Sequence, residues 1–308
     1  MKLKKYISPA LLLWAAIIWG FAFAAQDAAS EMNAFSLGFW RSLVGGFFLI
    51  SVIIALDKLL GTGRKLISKK GIDINKTELI GGMIIGTVLA TASAFQQIGI
   101  NRGTDGGKAA FITALYVVLV PIYALALKKR APVNVWISVA IAIVGFYLLC
   151  ITEDVTVASS DILVVVSAML FPIHILTIDH FSPRCDGVRM SMVQFFTAAL
   201  INLVIALVSA GGESLSFAVP MLLPILFLCI GSSGIAYTLQ IVGQGMDNVN
   251  PAVASVILSL ESVFGVIGGA IVHGEAMSSR EYAGCVIVFT AVLLSQLDLK
   301  SIISKIKK

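Results

Sequence analysis

Ten stretches of roughly 20 largely apolar residues constrain this chain more than any single motif does. A segment crossing hydrocarbon must satisfy every backbone N–H and C=O without water, which takes about 20 apolar residues of helix. We place the spans near residues 9–27, 34–56, 79–98, 109–127, 133–151, 160–179, 188–210, 221–243, 250–272 and 281–298. With 58% hydrophobic and 13% charged residues in 308, the balance lies far from the usual soluble one of about half apolar and a quarter charged. The fold class is all-α, a polytopic membrane protein.

Lys and Arg set the orientation. With the N-terminus inside, that side holds Lys2, Lys4 and Lys5, the Lys58 to Lys76 loop, the Lys128-Lys129-Arg130 cluster, Arg184, Arg189 and the tail from Lys300 to Lys308. Arg102, Lys108 and Arg280 are left outside, a bias of roughly eighteen to three. Both termini are expected to be cytoplasmic, in an inner or plasma membrane. The net charge of +5 is then mostly a topology signal and an attraction to lipid headgroups. No basic stripe interleaved with aromatics points to nucleic acid.

The motif Ala92-x3-Gln96-x2-Gly99 returns 144 positions later as Ala236-x3-Gln240-x2-Gly243. Gly99 to Lys108, polar and glycine-rich, likewise matches Gly243 to Pro251, and a small-residue-rich span follows each. Residues 1–152 and 153–308 thus read as two five-helix halves. Five is odd, so the halves enter the bilayer with opposite orientation, the inverted-repeat plan of secondary transporters. Alternating access is the expectation.

Several other classes fit less well. Cys150, Cys185, Cys229 and Cys285 show no C-x-x-C spacing and read as small apolar fillers. Without a G-x-x-x-x-G-K-[ST] loop or a large soluble insert, the chain cannot hydrolyse ATP by itself. Lys2 to Lys5 followed by an apolar run and Ala22-Phe23-Ala24 also matches a cleavable secretory signal, but cleavage would leave nine spans and break the symmetry. No cofactor or metal site is expected.

Trp19-Gly20, Arg41, the run from Ala110 to Pro121, Leu258-Ser259-Leu260-Glu261 and Gly274-Glu275 occur in the order and spacing of one known group. On these residues the chain resembles the drug/metabolite transporter superfamily, specifically its EamA-type ten-helix members. It departs from their pattern where Lys129-Arg130 stands in place of a second Gly-Glu pair, and where Ser262 stands in place of a frequent proline. The resemblance implies a central cavity ringed by spans one to four and six to nine, with the fifth and tenth peripheral. It also implies outward movement of small polar or amphipathic metabolites, amino acids among them.

Ionisable groups inside a membrane are costly and usually face a cavity or a partner. Arg41 offers a fork of donors suited to a carboxylate, and equally reads as an interfacial anchor. Glu261 lies midway along the ninth span, where a carboxyl could carry a proton or fix helix packing. His174 follows Pro172, which removes a hydrogen bond and loosens the sixth span, so it reads as a ligand or as a helix contact. Asp179 falls at a membrane end.

The uncharged set Trp19, Gln96, Gln97, Tyr116, Gln194, Tyr237 and Gln240 could orient a small ligand at lower cost than charges, or glue helices together. Gly45-Gly46, Gly81-Gly82-x3-Gly86, Gly231-x2-Gly234 and Gly265-x2-Gly268-Gly269 permit close packing, between helices of a monomer or across a homodimer. Substrate-binding candidates are therefore Trp19, Arg41, Gln96, Tyr116, His174, Gln194, Tyr237 and Gln240, with Glu261 the candidate for proton coupling. A passive channel or lipid scramblase is the alternative. An acyltransferase built on His174-x4-Asp179 is a distant third, because that spacing aligns poorly on one helix face.

Overall fold

The computed structural model describes residues 4–60, 74–150, 158–210, 215–216, 219–246, 249–273 and 277–297, helical throughout apart from short connections. The first half contains α1 (Lys4–Ala28), α2 (Ala34–Leu60), α3 (Lys76–Asn101), α4 (Gly106–Ala114), α5 (Tyr116–Ala126) and α6 (Val133–Cys150). The second contains α7 (Ser159–Phe181), α8 (Gly187–Ala210), α9 (Leu222–Leu226), a π-helical segment (Phe227–Tyr237), α10 (Thr238–Gly245), α11 (Pro251–Leu258), α12 (Glu261–His273) and α13 (Ser279–Ser295). The sequence motif Gly274-Glu275 lies outside the described residues.

Eight helical stretches among the described residues are long and apolar enough to cross a membrane. The remaining two expected spans are shorter. At 17 residues α13 is about 26 Å long at 1.5 Å per residue, somewhat less than the hydrocarbon thickness. It packs along α6, where Gly145 and Gly284 let the two backbones approach so closely that a Cβ on Gly284 would meet the Gly145 carbonyl at 2.8 Å.

Polar contacts sort the helix ends into two groups. At one end the start of α1 meets the end of α10 through Ser8 Oγ donating to the Gly243 carbonyl at 2.8 Å. Beside them Glu78, which caps α3, accepts the Asp186 amide at 3.1 Å, and Asp186 pairs with the fully buried Arg189. Lys129 pairs with Asp179 at the same end. At the other end Asn101 donates to the Met32 carbonyl at 2.7 Å, and Asp161 accepts from Thr104 at 3.0 Å and Lys108 at 2.6 Å.

Two spans are broken near their middles. Leu115 interrupts α4 and α5 with φ −60° and ψ −14°, and Ser259 interrupts α11 and α12 with φ −63° and ψ −10°. Their positions differ by 144, the separation of Gln96 from Gln240. At the second break Ser259 Oγ turns back to the Val256 carbonyl at 2.8 Å, a local bond that competes with the helix ladder. Each break places an ionisable side chain first in the following helix, Tyr116 in α5 and Glu261 in α12.

The first helix runs through the centre, against α4, α10, α11, α12 and the π-helical segment. Gly20 makes this possible, since a Cβ there would fall 2.3 Å from that of Phe264.

Candidate functional site

α1 supplies Trp19, Ala22, Phe23 and Gln26 to one wall of a partly open cavity with about 460 Å³ of atom-free space, open solvent included. Arg41 of α2, Gln96 of α3, and Thr113 and Tyr116 at the α4/α5 break continue the wall. The second half closes it with Phe171 and His174 of α7, Ser232 and Tyr237 of the π-helical segment, Gln240 of α10 and Glu261 at the α11/α12 break. The contributions from α1, α2 and α3 come from the stretches nearest Ala28, Ala34 and Asn101, whereas His174, Tyr237 and Gln240 lie nearer the opposite ends of their spans, Phe181 and Gly245, so the cavity sits near the middle of the bundle.

Arg41 is 7% exposed and does not reach an interface. Its Nη1 donates to Gln26 Oε1 at 2.9 Å, Nη2 to Ser232 Oγ at 3.0 Å and Nε to Ser233 Oγ at 3.3 Å. Three of five N–H donors are thus engaged, all by neutral oxygens, and no acidic side chain among the described residues pairs with it. A buried charge held only by neutral dipoles is poised for a mobile counter-charge.

A chain of amides continues from the guanidinium. Gln26 Nε2 donates to Gln96 Oε1 at 3.3 Å, and Gln96 Nε2 donates to Thr113 Oγ1 at 2.8 Å. Behind it Gln97 Nε2 donates to the Gln26 carbonyl at 3.2 Å and to Asn101 Oδ1 at 2.8 Å. These bonds give the wall near Arg41 a fixed geometry.

Elsewhere the lining is less satisfied. Trp19 Nε1, Tyr116 Oη, His174 Nδ1, Gln240 Oε1 and Glu261 Oε1 are all buried without a hydrogen-bond partner. The Tyr116 hydroxyl lies beside the Glu261 carboxyl, though neither of these two atoms reaches hydrogen-bond geometry. Unmet polar groups at low dielectric each cost roughly 1–3 kcal/mol, and five around one space mark it as built for a polar occupant.

Tyr237 organises the aromatic side. Its ring centroid lies 4.6 Å from Trp19, 5.8 Å from His174 and 5.9 Å from Phe195. The π-helical turns carry Ser232, Ser233 and Tyr237, and such irregular turns concentrate at functional positions because they re-aim side chains.

Eight of the nine candidates named from sequence line the cavity: Trp19, Arg41, Gln96, Tyr116, His174, Tyr237, Gln240 and Glu261. Gln194 does not. It is fully buried, its Oε1 2.9 Å from His174 Nε2, while His174 Nδ1 has no partner. The seventh span, α8, accordingly contributes no side chain to the wall, unlike the ring of eight spans implied by resemblance. His174 and Asp179 have separate partners, Gln194 and Lys129, so they do not form an acid/base pair.

Gln26, Thr113, Ser232 and Ser233 were not singled out in the sequence. Gln26 sits at the end of the first span, where a polar residue reads as an interface, and the other three are residues that commonly bond their own helix in membranes.

The EamA-like transporter family matches residues 7–151 and 158–297. An uncharacterized transporter of Archaeoglobus fulgidus is 26% identical over 284 residues, covering 92% of this chain and 83% of that relative. A solved crystal structure shares the fold with a TM-score of 0.71 at 16% identity, over 94% of this chain and 96% of its own.

Proposed function

The chain belongs to the EamA-like transporter family, and from that premise we propose that it is a secondary carrier moving small metabolites through alternating exposure of the Arg41 cavity. As an EamA protein it is a multi-pass membrane transporter of the drug/metabolite superfamily. The family favours a carrier over an enzyme, and the pairing of Asp179 with Lys129 leaves the acyltransferase reading without the carboxylate that would orient its imidazole.

The observation that carries the substrate reading is Arg41, a buried guanidinium with neutral partners facing buried acceptors and donors that have none. Its spare N–H groups suit a carboxylate or phosphate. Glu261 across the cavity suits a cationic group or a proton, and Trp19 and Tyr237 offer ring faces to an apolar portion. An amino acid or an amphipathic organic acid satisfies this set. Trp19, Arg41, Gln96, Tyr116, His174, Tyr237 and Gln240 bind it, and Gln194 holds His174 in place.

Both termini are cytoplasmic on the charge distribution, which makes the Ala28 end of α1 the outer one. The Glu78, Asp186 and Arg189 cluster then stands at the inner end and the Lys108–Asp161 pair at the outer one, a tie between the halves at each.

The test is thermal stability of the detergent-purified protein with leucine, glutamate, citrate, spermidine and glucose, with Arg41→Ala in parallel. A compound at a hundred times its dissociation constant adds about 2.7 kcal/mol to the folded state. Saturable stabilisation by the carboxylates, lost in a folded Arg41→Ala, is expected. Equal stabilisation of the variant would remove Arg41 from the site.

A further inference from the structure

Hydroxyls within these spans mostly spend their hydrogen on their own helix. Thr91, Thr177 and Thr290 donate to the carbonyl four residues back, and Ser255 and Ser262 to the one three back. Thr113 and Ser232 depart from that habit. They are 2% and 1% exposed, and both line the central cavity. Each hydroxyl oxygen accepts a hydrogen bond, and neither hydrogen has an acceptor among the described residues.

Arg41 explains both. A guanidinium has five N–H donors and no acceptor, so every oxygen it touches must receive. Ser232 Oγ accepts from Nη2 at 3.0 Å and keeps its own hydrogen to give. Gln26 has to turn Oε1 toward Nη1, which leaves its amide nitrogen facing Gln96. Gln96 then presents Oε1 to Gln26 and its nitrogen to Thr113, whose Oγ1 accepts at 2.8 Å and ends the chain with a hydrogen to spare. The charge on Arg41 thus fixes which way two glutamine amides face and makes the last hydroxyl a donor. All five residues line the cavity, so these bonds run along one strip of its wall. The side-chain oxygens of the strip already accept; what it has left to offer is N–H and O–H.

We propose that Thr113 and Ser232 contact the cargo as hydrogen donors, Ser232 beside Arg41 on its acid group and Thr113 on a second acceptor oxygen of the same molecule. This rests on the carrier reading above and narrows its substrate class to oxygen-rich acids, such as hydroxy acids and dicarboxylates. The two spare guanidinium N–H groups and the Ser232 hydroxyl hold the acid group. At Thr113 an amine or amide N–H in place of the second oxygen would set donor against donor. A buried polar group left unmatched in that way rejects the analogue.

Thermal unfolding of the detergent-purified protein is followed while citrate, glutamate or leucine is titrated. Citrate and glutamate carry acceptor oxygens beyond the first carboxylate, and leucine carries none. Thr113→Val removes the hydroxyl and keeps the shape, Thr113→Ala removes it without bulk, and Thr113→Ser retains it. Citrate or glutamate is expected to bind more tightly than leucine. Thr113→Val and Thr113→Ala should each weaken that ligand about tenfold or more, leave leucine unchanged, and be rescued in Thr113→Ser. Ser232→Ala should weaken every carboxylate that binds.

Undiminished citrate and glutamate affinity in the folded Thr113 variants overturns the proposal, as does an equal loss for leucine, which a merely structural threonine would give. Full carboxylate affinity in Ser232→Ala overturns it too. So does a response to leucine without one to citrate or glutamate, an outcome that leaves the carrier reading standing. Silence from all three compounds counts against both.

Discussion

Arg41 shows how far one residue can be read from sequence. Its type announced an intramembrane guanidinium, but its depth and partners depend on how α2 meets the π-helical segment, which no local pattern encodes. Replacing it with alanine leaves Gln26, Ser232 and Ser233 without their donor. A loss of about 1–3 kcal/mol in thermal stability is expected, together with loss of carboxylate binding. Arg41→Lys keeps the charge but loses the fork, so it should fold better than the alanine variant and still bind carboxylates weakly; calorimetric unfolding and ligand titration check both. Gly20→Ala forces a Cβ against that of Phe264 and should cost about 1–3 kcal/mol by overpacking, read from the same unfolding experiment. Cys185, between α7 and α8, gives a pH-dependent reading. Burial, reinforced by the nearby Glu78 carboxylate, pushes its thiol up to about 11. Since the thiolate is the reactive form, maleimide labelling at this position should be slow near neutrality and accelerate toward pH 11. Fast labelling at pH 7 contradicts the burial.

At the scale of elements, the apolar stretches gave the helices their places within a few residues, because hydrophobic length is a composition signal that survives any tertiary arrangement. The breaks were not legible. Leu115 and Ser259 are both compatible with a continuous helix, and what opens the ladder is packing of the neighbouring turns around a shared cavity. The π-helical segment left a partial trace in Gly231 and Gly234, which read from sequence as small residues permitting close packing. Pro172, expected to loosen the sixth span, sits within an α7 that runs unbroken from Ser159 to Phe181. The bond between Ser191 Oγ and Thr238 Oγ1, 2.7 Å long, ties α8 to α10 below the site. A double-mutant cycle with Ser191→Ala and Thr238→Ala should give a coupling near 0.6 kcal/mol, the average for such bonds in membranes, and below about 1.7. A coupling of zero would mean the hydroxyls find other partners.

Across the whole molecule, the constellation was more legible than any member of it. Eight residues scattered from Trp19 to Glu261 converge on one cavity because buried polar groups in a membrane have few places to go. Gln194 escaped the rule by serving His174 instead. The halves are tied at both ends: Lys108 pairs with Asp161 at the one beside Asn101, and Ser8 with Gly243, Glu78 with Asp186 and Lys129 with Asp179 at the other. If one site is exposed alternately, the Ser8, Glu78 and Lys129 ties are the gate at their end, and holding them shut must favour the state open at the opposite end.

The direct test places a reporter cysteine at Ala22, a cavity wall without a polar role, in a chain whose four native cysteines are replaced. Ser8→Cys and Gly243→Cys are then bridged by a short thiol-reactive cross-linker before a membrane-impermeant reagent is added to either face of sealed vesicles. The account predicts that bridging abolishes labelling of Ala22→Cys from the inner face and raises it from the outer face. Labelling from the outer face that stays unchanged, as a channel or scramblase with independent ends would give, contradicts it.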